Sequence, residues 1–271
     1  MVKVIVLGHK GFIGSYVMKL FPNAIGYDLK DGKNILDYSK LYRVIVKNKI
    51  DTIIHLAASI SIPESEEKPQ EYIENNIQGT MQVIDVALKT GVKKIVYASS
   101  SACSEPTSSI YAITKLVPEL LLNHYKDRLE VISLRFFNVY GKGSNPAYGR
   151  VIDSFVAGIK SKQEIVIYGD GQQTRDFIHV KDIASGIKAA ATKKIPSGEV
   201  IDLGTGISIS INQLASMIIT GMGILPKRIY KPQRKEVKHS RVDLTKARKL
   251  LEFSPKITLQ EGLREIIMET I

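Results

Sequence analysis

The chain has almost no cysteine: Cys103 is the one thiol in 271 residues. An internal disulfide framework is therefore excluded, and the composition fits a reducing, cytoplasmic compartment. Long apolar runs are lacking too; none approaches the length that crosses a bilayer. No charged-apolar-small leader pattern is seen at MVKVIVLG, so no membrane partner is expected. His, Cys, Asp and Glu nowhere take up metal-ligand spacing, and no metal is expected. Repeats and low-complexity tracts are missing as well. Acidic residues are outnumbered, 27 against 38 basic ones, for a formal net charge of +11. The excess is spread along the chain. Its densest stretch, KRIYKPQRKEVKHSR at 227–241, includes a glutamate and no RNA-binding signature. An anionic small molecule is thus a better expected partner than nucleic acid.

What is present is a 44% hydrophobic composition with a clear alternation of patterns. Apolar runs at 2–7, 24–27, 52–56, 94–98 and 131–135 read as strands buried on both faces. Helical patterns follow at 12–20, 38–47, 72–90 and 111–126. Strands alternating with helices predict an α/β fold, a doubly wound parallel sheet of the Rossmann type. After Gly141 the pattern loosens. Helices are expected at 151–161, 180–192 and 211–221 and within 244–271, with strands at 164–167, 199–203 and 228–230. A smaller α/β C-terminal domain is expected from them, interleaved with the first. The division predicted is 1–140 with 178–206, and 141–177 with 207–271.

GHKGFIG sets Gly8, Gly11 and Gly14 directly after a strand and at the opening of a helix. Gly8 permits a tight turn, Gly11 lets the backbone approach a pyrophosphate, and Gly14 lets helix and strand pack closely. Asp28 ends the second strand, where a carboxylate accepts hydrogen bonds from a ribose diol and repels a 2′-phosphate. NAD is the expected cofactor rather than NADP. Tyr111 stands four residues before Lys115, on the same helix face. It is the one tyrosine of twelve with that spacing. A free tyrosine has a pKa of about 10, too high for a base at neutral pH. A neighbouring ammonium lowers that value.

Taken in order, GxxGxxG, His55-Leu56-Ala57-Ala58, Asn76-Ile77-Gln78-Gly79-Thr80, the run Ser99-Ser100-Ser101, Tyr111-x-x-x-Lys115, LRFFNVYG at 134–141 and RDFIHVKD at 175–182 resemble the extended short-chain dehydrogenase/reductases. Within them the chain is most similar to the NAD-dependent epimerase/dehydratase group that acts on sugar nucleotides, and nearest the UDP-hexose 4-epimerases. The resemblance implies that the larger domain holds NAD through Gly8, Gly11, Phe12, Ile13, Gly14, Asp28, Leu56, Ala57, Ala58, Asn76, Ser99, Tyr111, Lys115 and Val139. It implies a smaller domain that binds a nucleotide sugar, with Lys68, Ser101, Asn138, Arg175, Arg234 and Glu236 toward the substrate. Arginine suits a diphosphate because its planar fork grips phosphate oxygens. Catalysis falls to Ser101, Tyr111 and Lys115, with the neighbouring serines as alternatives to Ser101. A homodimer is implied through the helices at 72–90 and 111–126, with Val83, Val86, Ala87, Leu116, Leu120 and Tyr125 open as either its face or core.

The reaction expected is 4-epimerisation of a UDP-sugar through a 4-keto intermediate. Relatives that dehydrate place an Asp-Glu pair where Ala102 and Cys103 stand here. Ser104 and Glu105 keep a UDP-glucuronate decarboxylase in play, and other sugar-nucleotide reductases form a further alternative. A non-catalytic NAD-sensing protein is a rival class, which would need neither Tyr111 nor Lys115. The loop before Tyr111 is shorter than in relatives, and Pro118 is expected to kink or distort the helix that follows.

Overall fold

Val4, Ile5, Val6 and Leu7 are all buried, as a strand covered on both faces requires. They form the first strand in a computed structural model that describes residues 2–144, 151–233, 239–240 and 242–270. The first half of the chain runs β1 (Val4–Leu7), α1 (Phe12–Leu20), β2 (Ile25–Tyr27), α2 (Tyr38–Asn48), β3 (Thr52–His55), α3 (Ile62–Glu67), α4 (Pro69–Tyr72), α5 (Gly79–Thr90), β4 (Lys94–Ser100), α6 (Ile110–His124) and β5 (Glu130–Phe136). The second half runs β6 (Asn138–Tyr140), α7 (Val151–Lys162), β7 (Glu164–Tyr168), β8 (Thr174–His179), α8 (Val180–Thr192), β9 (Glu199–Leu203), β10 (Ser208–Ser210), α9 (Ile211–Met222), β11 (Lys227–Lys231) and α10 (Leu259–Thr270).

Six strands make one parallel sheet in the order β2-β1-β3-β4-β5-β9. The order reverses between β1 and β3, and a doubly wound sheet opens a crevice at that point, beyond the carboxyl ends of its strands. Alternate residues of each strand feed opposite cores. Val4, Val6, Ile54, Val96 and Ile132 pack with Val17 of α1 and with Ile183 and Ile187 of α8. Ile5, Leu7, Ile53, Ile95 and Val131 pack with Leu41 and Ile45 of α2, Val83 and Ala87 of α5 and Leu122 of α6. Two small sheets, β10-β8-β6 and β11-β7, border a third core with α7, α9 and α10. Leu244, Ala247, Leu251 and Phe253 pack into the large-sheet core beside α8 although they lie late in the chain. Among the described residues no helix is long and apolar enough to cross a membrane.

Local features refine the expectation. The helix read at 72–90 runs on without a break from α4 to α5, with Ile73–Gln78 as a wider π-turn within it. The Thr80 hydroxyl donates to the Asn76 carbonyl at 2.6 Å inside this stretch, and a side chain that competes for a backbone carbonyl loosens the helical ladder. β4 extends to Ser100, so Ser99 and Ser100 are strand residues and not loop. Pro118 lies buried inside α6, and the helix continues through it to His124. The sequence pattern also missed α3, which Ser61 caps by accepting from the Glu64 amide.

Candidate active site

The carboxyl ends of β1, β3, β4 and β5 open into a cleft of about 1220 Å³. Gly8 forms its floor. Its φ is +85°, and a Cβ there would lie 2.8 Å from the Ala57 amide nitrogen, so only glycine lets the turn meet the chain leaving β3. At Gly14 a Cβ would fall 2.1 Å from the Gly8 carbonyl, which brings the start of α1 hard against the turn. No side chain caps α1, and its first turn carries no acidic residue. The positive end of α1 therefore faces the cleft, beside Gly11, Phe12 and Ile13. Asp28 lines the same end; its two oxygens accept the Lys10 and Lys30 amides at 2.9 Å each. A glycine cradle, an uncapped helix start and a carboxylate at the far rim fit a dinucleotide. Leu56, Ala57, Ala58 and Val139 also line the cleft.

Tyr111 opens α6. Ser109 caps the helix, accepting from the Ala112 amide at 3.1 Å, while the α3 residues Ser65 and Glu66 accept the Tyr111 and Ile110 amides. The missed helix α3 thus anchors the first turn of α6. One turn on, Lys115 is 3% exposed. Its Nζ takes no hydrogen bond or ion pair among the described residues and sits 4.4 Å over the Tyr97 ring. Burial draws its pKa down to about 8, against the opposing pull of the Cys103 and Glu119 charges. Tyr111, Lys115, Ser100 and Ser101 all line the cleft. Ser100 Oγ accepts the Ala102 amide at 3.2 Å, whereas Ser101 Oγ has no partner among the described residues. Of the two, Ser101 has the hydroxyl open to a ligand. The shortened loop is two 3₁₀ turns, Ser101–Ser104 and Pro106–Ser108, which place Ser104, Glu105 and Ser108 on the cleft wall.

Other expected residues lie elsewhere. Ser99 borders the cleft, but its hydroxyl turns away from it and donates to Glu119 at 2.7 Å. Asn76 is 1% exposed and supports the wall from behind. It bonds both backbone groups of Ser59, and its Nδ2 donates to Thr114 Oγ1 at 3.0 Å. Lys68 does not reach the cleft; it is exposed and pairs with Glu64 at 3.8 Å and Glu71 at 3.7 Å, its own helical neighbours. Asn138 and Arg175 do line the cleft. Asn138 Nδ2 donates to the Asp176 carbonyl at 3.0 Å, and an Arg175 guanidinium nitrogen donates to the Thr174 carbonyl at 2.8 Å. Arg234 and Glu236 lie outside the described residues. Of the helix residues weighed for a dimer face, Val83, Val86 and Ala87 are fully buried in the core, while Leu120 is 58% exposed.

The structure adds residues that motif reading passed over. Glu119 lies on α6, where Tyr97 and Arg135 contact the helix, and Arg135 and Asp202 line the cleft. Glu119 was legible in principle, since it follows Lys115 by one further helical turn.

Known proteins resemble this chain in sequence and fold. The chain is 35% identical, over 86% of its length and 76% of the relative's, to a UDP-glucuronate 4-epimerase of Thermodesulfobacterium geofontis. It is 30% identical to a UDP-N-acetyl-alpha-D-glucosaminuronate decarboxylase of Bacillus cytotoxicus, with 98% and 96% covered. Its fold matches the UDP-glucose 4-epimerase of Thermotoga maritima, solved with UDP-glucose, with a TM-score of 0.89 at 28% identity over 98% of each chain. Residues 4–204 match the NAD dependent epimerase/dehydratase family. With that match and the glycine cradle, Asp28, Tyr111 and Lys115 gathered on one cleft, the chain belongs to the NAD-dependent epimerase/dehydratase family of extended short-chain dehydrogenase/reductases.

Proposed function

We propose that this chain is an NAD-dependent 4-epimerase of a UDP-hexose, working through a 4-keto sugar. The observation that carries this reading is the buried Lys115, its Nζ uncommitted, one helical turn from Tyr111, with the open hydroxyl of Ser101 on the same cleft. Gly8, Gly11, Gly14 and Asp28 would hold the dinucleotide, with the pyrophosphate against the start of α1. Bound there, NAD⁺ supplies a hydride acceptor for the sugar C4 and later the returning hydride. Tyr111 Oη takes the proton of the 4-hydroxyl and gives it back to the inverted centre. The Lys115 ammonium stabilises the phenolate that stands before the proton is taken and after it is returned. Ser101 Oγ orients the sugar oxygen. Arg175, from the smaller lobe, and Asn138, at the edge of the larger domain, face the diphosphate. The breadth of the cleft gives the keto sugar room to turn over while its diphosphate stays anchored.

Ala102 and Cys103 offer no acid-base pair for dehydration. The placement of Glu105 on the cleft wall supports one second reading, a decarboxylase of a UDP-uronate. A homodimer through α5 and α6 is part of the proposal, with Ile113 and Leu120 as its exposed apolar residues. A cytoplasmic location fits the unpaired Cys103. The test is to incubate purified protein with UDP-glucose, UDP-N-acetylglucosamine and UDP-glucuronate in turn, then separate products by anion exchange and identify them by NMR. A C4-inverted sugar at constant total nucleotide sugar is expected. A pentose with released carbon dioxide would replace the epimerase by the decarboxylase.

A further inference from the structure

Behind the Tyr111–Lys115 pair lies a buried charge cluster that the reaction described above leaves unused. Glu119 follows Lys115 by one turn of α6 and is 4% exposed. Its carboxylate is fully engaged: Oε2 accepts from Ser99 Oγ at 2.7 Å and from Arg135 Nε at 3.0 Å, and Oε1 accepts from an Arg135 terminal nitrogen at 2.6 Å. Ser99 and Arg135 stand directly opposite each other in the register of β4 and β5. The sheet thus presents both donors to α6 from one face. Among the described residues no ion pair joins Glu119 to Lys115; the carboxylate's ion-pair partner is Arg135.

This arrangement has a consequence for a lysine that must be charged and yet uncommitted. A buried ammonium is disfavoured by desolvation. A carboxylate one turn away offsets that cost through its field, but left alone it would also draw the ammonium into a salt bridge and off the cleft. A bidentate guanidinium fork prevents this, because it occupies both carboxylate oxygens in fixed geometry. We propose that Glu119, clamped by Arg135 and Ser99, is a positioning residue that keeps Lys115 charged while leaving its Nζ free to face Tyr111 and the cofactor. The inference rests on the epimerase reading for its purpose, though not for its geometry.

The other groups around Lys115 agree with this role. His55 on β3 is fully buried, and burial holds its pKa near 3, so it stays neutral. Tyr97 on β4 presents a ring, and its phenol is pushed well above the usual value by burial. Cys103, in the turn after β4, is raised by burial as well. Tyr111 completes the set on α6. Of the two groups whose charge raises Lys115, Cys103 and Glu119, the thiol is itself held back by burial, and Glu119 is the carboxylate. Asp202 on β9 acts on Arg135, not on Lys115, and burial raises its own pKa.

The test titrates Lys115 directly in the full-length protein, by the ¹³Cε resonance of labelled lysine, with the peak assigned by its loss in K115R. Glu119→Gln keeps the shape and an acceptor for Ser99 but removes the charge; it is expected to lower the Lys115 midpoint by about 1 pH unit. Glu119→Asp restores most of that shift. Arg135→Lys loses the fork and frees the carboxylate; it is expected to raise the midpoint and lower kcat with KM little changed. Opposite shifts from Glu119→Gln and Arg135→Lys are what a merely structural ion pair cannot give. An unmoved midpoint in folded Glu119→Gln, or shifts of one sign in both variants, overturns the proposal. If Glu119→Gln does not fold, the direction of the Arg135→Lys shift decides alone. The titration needs no turnover. Opposite shifts without epimerase activity would therefore reject the reaction and leave the electrostatic role standing.

Discussion

Tyr97 touches Lys115 twice: its ring carries the ammonium at 4.4 Å, and its hydroxyl donates to the Lys115 carbonyl at 3.4 Å. The contact lies in the turn of α6 where Pro118 removes an amide from the ladder. β4 thus braces α6 beside Pro118 and gives the buried charge an aromatic face.

The two halves of this contact separate by mutation. Tyr97→Phe keeps the ring and is expected to cost about 1 kcal/mol of stability with turnover largely retained. Tyr97→Leu also removes the cation–π face and is expected to lower kcat as well as cost about 1 kcal/mol more. Urea unfolding and steady-state kinetics on both variants measure the difference. Equal kinetics in the two would deny the ring any part in holding Lys115.

Tyr111→Phe removes one oxygen at the mouth of the cleft. Turnover of the UDP-sugar is expected to fall about 100-fold or more. The melting temperature and the NAD content after purification should stay near wild type. Undiminished turnover would reject Tyr111 as the base.

The glycines divide by what surrounds them. Gly14→Ala drives a methyl to 2.1 Å from the Gly8 carbonyl and 2.8 Å from His9 Cα, both backbone atoms. It is expected to cost about 3 kcal/mol and to lose the dinucleotide. Gly32 has φ +64° with nothing within 4 Å of an added Cβ. Gly32→Ala is expected to cost only about 1 kcal/mol of left-handed strain and to keep cofactor affinity. Calorimetry with NAD titration distinguishes the two.

His55 makes the fold sensitive to acid. Its Nε2 lies 3.0 Å from Thr80 Oγ1, whose own proton goes to the Asn76 carbonyl. Burial, with the Lys115 charge beside it, lowers its pKa from 6.5 to about 3. Between those values the unfolded chain binds a proton that the folded chain refuses. The His55 contribution is therefore whole above pH 6.5 and is lost as pH falls toward 3, at up to about 1.4 kcal/mol per pH unit. Urea midpoints of wild type and His55→Gln between pH 7 and 4 measure it. The variant's slope should be shallower, and parallel slopes would contradict a buried neutral His55.

Local periodicity was enough for the strands and for the shared face of Tyr111 and Lys115. Apolar runs such as VIVL at 4–7 and TII at 52–54 must be buried on both faces, and a four-residue step must put Lys115 on the face of Tyr111, whatever the rest of the chain does. Lys68 stands outside the cleft, where the same helical spacing sets it beside Glu64 and Glu71.

The chain alone determined the glycine turn, the strand alternation and the Tyr111–Lys115 step, since each depends only on neighbours in sequence. Tertiary structure decided the rest. Ser99 turns to Glu119 while Ser101 stays open because the register of β4 against β5 sets Arg135 beside Ser99. Asn76 is withdrawn behind the wall because the π-turn aims it at Ser59 and Thr114. Strand register and side-chain competition between segments distant in sequence leave no periodic trace in either segment alone, so the commitment of each hydroxyl and charge is fixed only when the sheet assembles.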